Sequence, residues 1–154
     1  MCKFLSAIVL KNGDILYNQA TDSHEDLVAL HNLRDNREGN FARAEFFPDK
    51  ASDLDKPDKY QLNIDESITP DWLTDELKGR VSEHLRSVVS RMIVDGDATC
   101  LIGGTYVLTG GAKVGFTKAV RIVAMLGTSQ VGAMWDTSRV PKGHKPEGAP
   151  KVGH

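Results

Sequence analysis

The sequence has little cysteine and no long apolar run. Only two cysteines, Cys2 and Cys100, occur in 154 residues. That is too few for the disulfide framework of a small secreted domain. The apolar stretch in MCKFLSAIVLKNG is interrupted by Asn12, Gly13 and Asp14, and no small-residue cleavage pattern follows, so a signal peptide is not expected. Nothing approaches the ~20 apolar residues of a membrane span. An excess of positive charge is also missing. The net charge is −2, which leaves no global basic field to hold nucleic acid or an anionic membrane. Lys78, Arg80, Arg86 and Arg91 are interleaved with acids, as on a solvated helix face. Phosphate-loop signatures are absent. Gly103-Gly104 and Gly110-Gly111 lack both the Gly-Lys-Ser/Thr spacing and GxGxxG, and read as tight turns. A cytoplasmic chain in a reducing setting is the expectation.

What is present is ordinary globular material: 40% apolar and 26% charged residues, enough for one domain with an appendage. Phe4 to Leu10 reads as a buried strand. Asn12-Gly13 is a hairpin signal, and Ile15 to Tyr17 would return beside it. Asp22 or Ser23 caps a helix that carries Glu25 and Asp26 in its first turn. Its apolar stripe is Leu27, Val28, Leu30 and Leu33, near which it ends. FARAEFF, residues 41–47, alternates as a half-buried strand, and so does Tyr60 to Ile64. Thr69-Pro70-Asp71 reads as a helix start, followed by apolar residues from Trp72 to Met92 at spacings of three and four.

Beyond Asp95-Gly96-Asp97 the character changes to short β-prone pieces. Then comes a nine-residue echo: KAVRIVAML from Lys118, GTSQVGAMW from Gly127, and DTSRV from Asp136. In this register Ile122, Val131 and Val140 coincide, as do Met125 and Met134. A fixed period implies a small unit that buries its apolar side against its neighbours. Expected, then, is an α+β fold: an antiparallel sheet with two helices on one face, followed by a short β-rich, solenoid-like repeat module. The expected divisions are 1–97, 98–140 and a disordered Gly/Pro/Lys-rich tail over 141–154. Met125, Val131, Met134 and Trp135 would be exposed on so short a module unless covered, and they are the expected homo-oligomer interface.

Candidate chemistry is sparse. Cys2 would become an N-terminal nucleophile, with its own amine as base, if Met1 were removed. That opening resembles N-terminal-nucleophile amidohydrolases, and the resemblance stops there. His24 and His31 lie seven apart, about 10 Å along one helix face, too far to share one ion. Capping accounts for Asp22, Ser23 and Glu25, so no metal and no cofactor are expected. Arg34-Asp35-Asn36-Arg37 places two arginines at turn residues, where they can grip a phosphate or carboxylate. Arg34, Asp35, Arg37 and nearby His24 are the candidate ligand-binding residues. Thr128-Ser129 and Thr137-Ser138 fit turns.

The segments SAIVLKNGDIL, TDSHEDLVALHNLRD, FARAEF, TPDWL and GTSQVGAMWDTSRV resemble a family of small uncharacterised proteins of bacteria and their phages. The likeness spans residues 1–140. Such proteins share the N-terminal block with its DSHEDL and end in varying numbers of T-S-x-V-x-x-M units. The resemblance carries no activity. A phage setting implies a role in blocking host defence, including sequestration of nucleotide signals, in the host cytoplasm. So few repeats do not suit a long fibre.

The leading expectation is a non-enzymatic, oligomeric binding protein for a small anionic ligand such as a nucleotide. Two alternatives stay open: a structural or inhibitory module that docks on a host protein, and an amidohydrolase using Cys2.

Overall fold

The computed structural model describes residues 4–34, 39–136 and 138–141. The chain divides into two compact units, residues 1–88 and 89–154. The fold is α+β, and the first unit carries the expected antiparallel sheet.

That sheet has the order β2-β1-β3-β4, with β1 at Leu5–Leu10, β2 at Ile15–Leu16, β3 at Phe41–Pro48 and β4 at Tyr60–Ile64. The β1–β2 turn places Gly13 at φ 91°, where only glycine sits without strain. Helix α1 is His24–Leu30. Ser23 caps it, its side chain accepting from the Asp26 amide. It ends three residues before Leu33, because Asn32 turns left-handed at φ 51°.

Helix α2, Asp75–Met92, begins later than Thr69-Pro70-Asp71 suggested. Residues 70–73 form an isolated turn, with Leu73 N donating to Pro70 O. Trp72 is committed elsewhere: its indole Nε1 donates to Gly39 O at 2.7 Å. Thr74 takes over the cap, its hydroxyl accepting from Leu77 N at 3.2 Å.

The sequence reading placed both helices on one face of the sheet; they lie on opposite faces instead. Ser6, Ile8 and Leu10 pair with Glu45, Arg43 and Phe41, and these point to one side. Leu27 of α1 packs there with Ile8 and Phe41. Leu5, Ala7 and Val9 pair with Phe46, Ala44 and Ala42 on the other side. There the Arg86 guanidinium of α2 stands 5.8 Å from the Phe46 ring centroid. Cover on both faces explains why Leu5 to Val9 is buried without alternation.

The second unit contains two parallel three-stranded sheets, ordered β10-β8-β6 and β5-β7-β9. Their strands are β5 Ile93–Val94, β6 Ala98–Ile102, β7 Thr105–Leu108, β8 Lys113–Lys118, β9 Arg121–Met125 and β10 Gln130–Trp135. Successive strands alternate between the sheets, so each strand pairs with the strand two further on. Neither sheet closes on itself. Leu108, Val114, Ile122 and Val131, from both sheets, share one apolar cluster.

Consecutive nine-residue units therefore fall in different sheets. Hydrogen-bonded neighbours lie two units apart, as in Val114 with Val131 and Arg121 with Arg139. The corners repeat with the strands. Thr128 N donates to Gly110 O at 2.8 Å, stacking the Gly127 corner on the Gly110 corner. Both glycines are left-handed, at φ 63° and 61°.

Candidate functional site

Three chain segments of the first unit converge beside α1. Strand alternation puts Arg43 and Glu45 of β3 on the α1 face. The β3–β4 ladder continues past β4, with Asp65 N donating to Arg43 O at 2.9 Å. This brings Asp65 and Glu66 to the same place. The α1 start is held there too, because Ser6 Oγ donates to Asp22 O at 2.5 Å. The result is a pocket of about 570 Å³ lined by Asp22, Ser23, His24, Glu25, Arg43, Glu45, Asp65, Glu66 and Ser67.

His24 is the one buried side chain in this wall, at 7% exposure. Its Nε2 lies 2.9 Å from Ala44 O. A carbonyl only accepts, so Nε2 carries the proton. The other nitrogen, Nδ1, faces Asp65 Oδ2 at 3.6 Å. The ligating atoms of His24, Glu45 and Asp65 lie within 4.8 Å of one another.

Arg43 is tied to Glu66. The Glu66 Oε1 accepts from the Arg43 amide at 2.8 Å and from its guanidinium at 3.2 Å. Five carboxylates thus line the pocket beside a single guanidinium. Such a wall attracts cations and repels anions.

The sequence-based candidates separate in space. His24 lines the pocket, without His31, which is exposed on α1's far end. Arg34 is exposed and absent from that lining. Asp35, Arg37 and Cys2 lie outside the described residues, as does the tail beyond Pro141. Among the four residues expected at an oligomer interface, Val131 is buried in its own chain at 2% exposure. Met125 and Met134 pack against that cluster, half-buried. Trp135 alone presents a large surface, 47% exposed, beside the Phe116 ring.

Glu45, Asp65 and Glu66 had no local mark as site residues. Glu45 reads as the polar half of an alternating strand, and Asp65-Glu66 as the loop after one. Only the pairing of β3 with β4 brings them to His24, and no local signal marks that pairing.

A smaller cavity of about 240 Å³ lies near the β1–β2 turn, lined by Lys11, Asn12, Gly13, Trp72, Thr74, Glu76, Leu77 and Arg80. In the same unit, burial pushes the Tyr60 hydroxyl well above its ordinary range. Tyr60 donates to Leu54 O at 2.8 Å.

These features define an α+β protein with an acid-lined pocket. No helix among the described residues is long and apolar enough to cross a membrane. Comparison with protein-family models, with curated proteins and with solved structures found no match.

Proposed function

We propose that this is a non-enzymatic binding protein whose ligand site is the α1–β3–β4 pocket. The observation that carries this is the acid-lined wall closing around buried His24. The ligand chemistry this wall favours is cationic, the opposite charge to a nucleotide.

Self-association belongs to the second unit. The outer edge of β10 offers backbone hydrogen-bonding groups, and Trp135 adds apolar surface next to it. A phage protein blocking host defence fits a binder of this kind, and the resemblance in the N-terminal block supports that setting.

An anionic ligand has one specific support, the smaller cavity where Lys11 and Arg80 stand together with Trp72. Thermal-shift measurements separate the two. Spermidine should stabilise the protein, by about 2.7 kcal/mol at 100 times its dissociation constant. Glu45→Gln should weaken that effect. Stabilisation by nucleotides alone, lost in Arg80→Ala, would transfer the site to the smaller cavity.

A further inference from the structure

We propose that His24 Nδ1, Glu45 and Asp65 together bind a divalent transition-metal ion of the zinc or manganese type. The proposal rests on the pocket being a cation site and names the cation class.

Three observations converge. First, the His24 ring is oriented by a backbone carbonyl. Metal-binding histidines hold their second nitrogen this way, which fixes the tautomer and turns the other lone pair toward the ion. Ala44 O plays that part, so Nδ1 is the nitrogen offered to the pocket. Second, Nδ1 faces carboxylate oxygen. They stand 3.6 Å apart, a spacing that a cation held between them would suit. An ion about 2.1 Å from each of two ligands at a tetrahedral angle holds them about 3.4 Å apart. The His24–Asp65 separation of 3.6 Å is within a small side-chain adjustment of that, and Glu45, whose ligand atom lies within 4.8 Å of the other two, would close in by rotating its side chain. Third, the neighbouring cation is already engaged: Arg43 is bonded to Glu66, and among the described residues no other guanidinium or ammonium group lines the pocket beside Glu45 and Asp65.

One imidazole and two carboxylates make a mixed nitrogen and oxygen set. It suits zinc or manganese better than calcium, which takes six to eight oxygens. The open side of the pocket leaves room for water as the remaining ligands. Burial differs among the three groups. His24 is enclosed, Glu45 half-buried and Asp65 exposed, so the carboxylates can be altered without opening the core.

The test is titration of the chelator-stripped full chain with Zn²⁺ and with Mn²⁺, followed by calorimetry. The expected result is one ion per chain at this site. Asp65→Asn and Glu45→Gln should each weaken it at least about tenfold, with the circular-dichroism spectrum unchanged. Nitrogen-15 spectra should show the His24 Nδ1 resonance moving on Zn²⁺ addition while the Nε2 proton is retained. No binding of either ion up to about 1 mM overturns the proposal. Binding that neither substitution weakens overturns it equally, because the ion then sits on other residues. If spermidine binds and Glu45→Gln abolishes it while both ions fail, the metal proposal falls and the pocket reading stands. If neither the ions nor spermidine bind, both fall.

Discussion

The two units solve the same problem, burying a sheet, by different routes. In the first, neighbouring strands run antiparallel and side-chain volume does the work. Phe46 is fully buried, with Tyr60 ring to ring at 5.4 Å. In the second, neighbouring strands run parallel and lie two strands apart in the chain, and backbones approach closely. A Cβ added at Gly132 would stand 2.5 Å from Gly115 O, and one at Gly127 would stand 2.6 Å from Gly110 O. Large side chains fill the first unit's core, whereas in the second the stacked backbones leave no room for a Cβ at Gly127 or Gly132.

Substitutions can break or sharpen this contrast. Phe46→Ala should cost the most, about 3 to 5 kcal/mol in urea unfolding, with hydrogen exchange accelerated first in the antiparallel sheet. Gly127→Ala puts a Cβ on a left-handed residue 2.6 Å from Gly110 O, and it should cost about 2 to 4 kcal/mol. There the exchange should accelerate first in β7–β10. If Gly127→Ala proved neutral, close corner stacking would not be what holds the second unit together.

The third prediction concerns pH. Because the Tyr60 hydroxyl is held above its ordinary range by burial, the unfolded chain loses that proton first as pH rises. Stability is therefore intact below about pH 10 and falls above it, by at most about 1.4 kcal/mol per pH unit. Tyr60→Phe should flatten that part of the profile while lowering stability at neutral pH by about 1 kcal/mol, through loss of the bond to Leu54 O.

Smaller effects test each unit from the opposite direction. Thr117 is fully buried in β8, and its hydroxyl has no hydrogen-bond partner among the described residues. Thr117→Val keeps the shape and should be neutral or stabilising by up to about 1 kcal/mol; a loss of that size would show that the hydroxyl is satisfied. Gly79 lies within α2 with nothing near the position of an added Cβ. Gly79→Ala should therefore raise stability by about 0.5 to 1 kcal/mol.

Local signals in the sequence were legible. Asn12-Gly13 marked the first turn, Ser23 marked the α1 cap, and the alternation in FARAEFF marked β3. Helix ends were less so. Thr69-Pro70-Asp71 has helix-start chemistry, but the Trp72 bond to Gly39 O and the Thr74 cap decide where α2 begins. The nine-residue echo falls on strands β9 and β10 and the turns before them, without establishing a solenoid. Each unit lands in the sheet opposite its predecessor, so the strands that pair lie about two units apart. The close approaches of Gly127 to Gly110 and of Gly132 to Gly115 had no counterpart in the nine-residue reading. For the site, His24 was visible and its partners were not. Glu45 and Asp65 reach it through strand pairing, and register between distant segments is not encoded in any local period.

The central functional claim is that the α1–β3–β4 pocket is built for positive charge. Isothermal titration of spermidine into the unaltered chain and into a Glu45→Gln/Asp65→Asn double variant measures it most directly. The account predicts saturable binding to the first and at least about hundredfold weaker binding to the second. Equal affinity in both, or none in the unaltered chain, would contradict it.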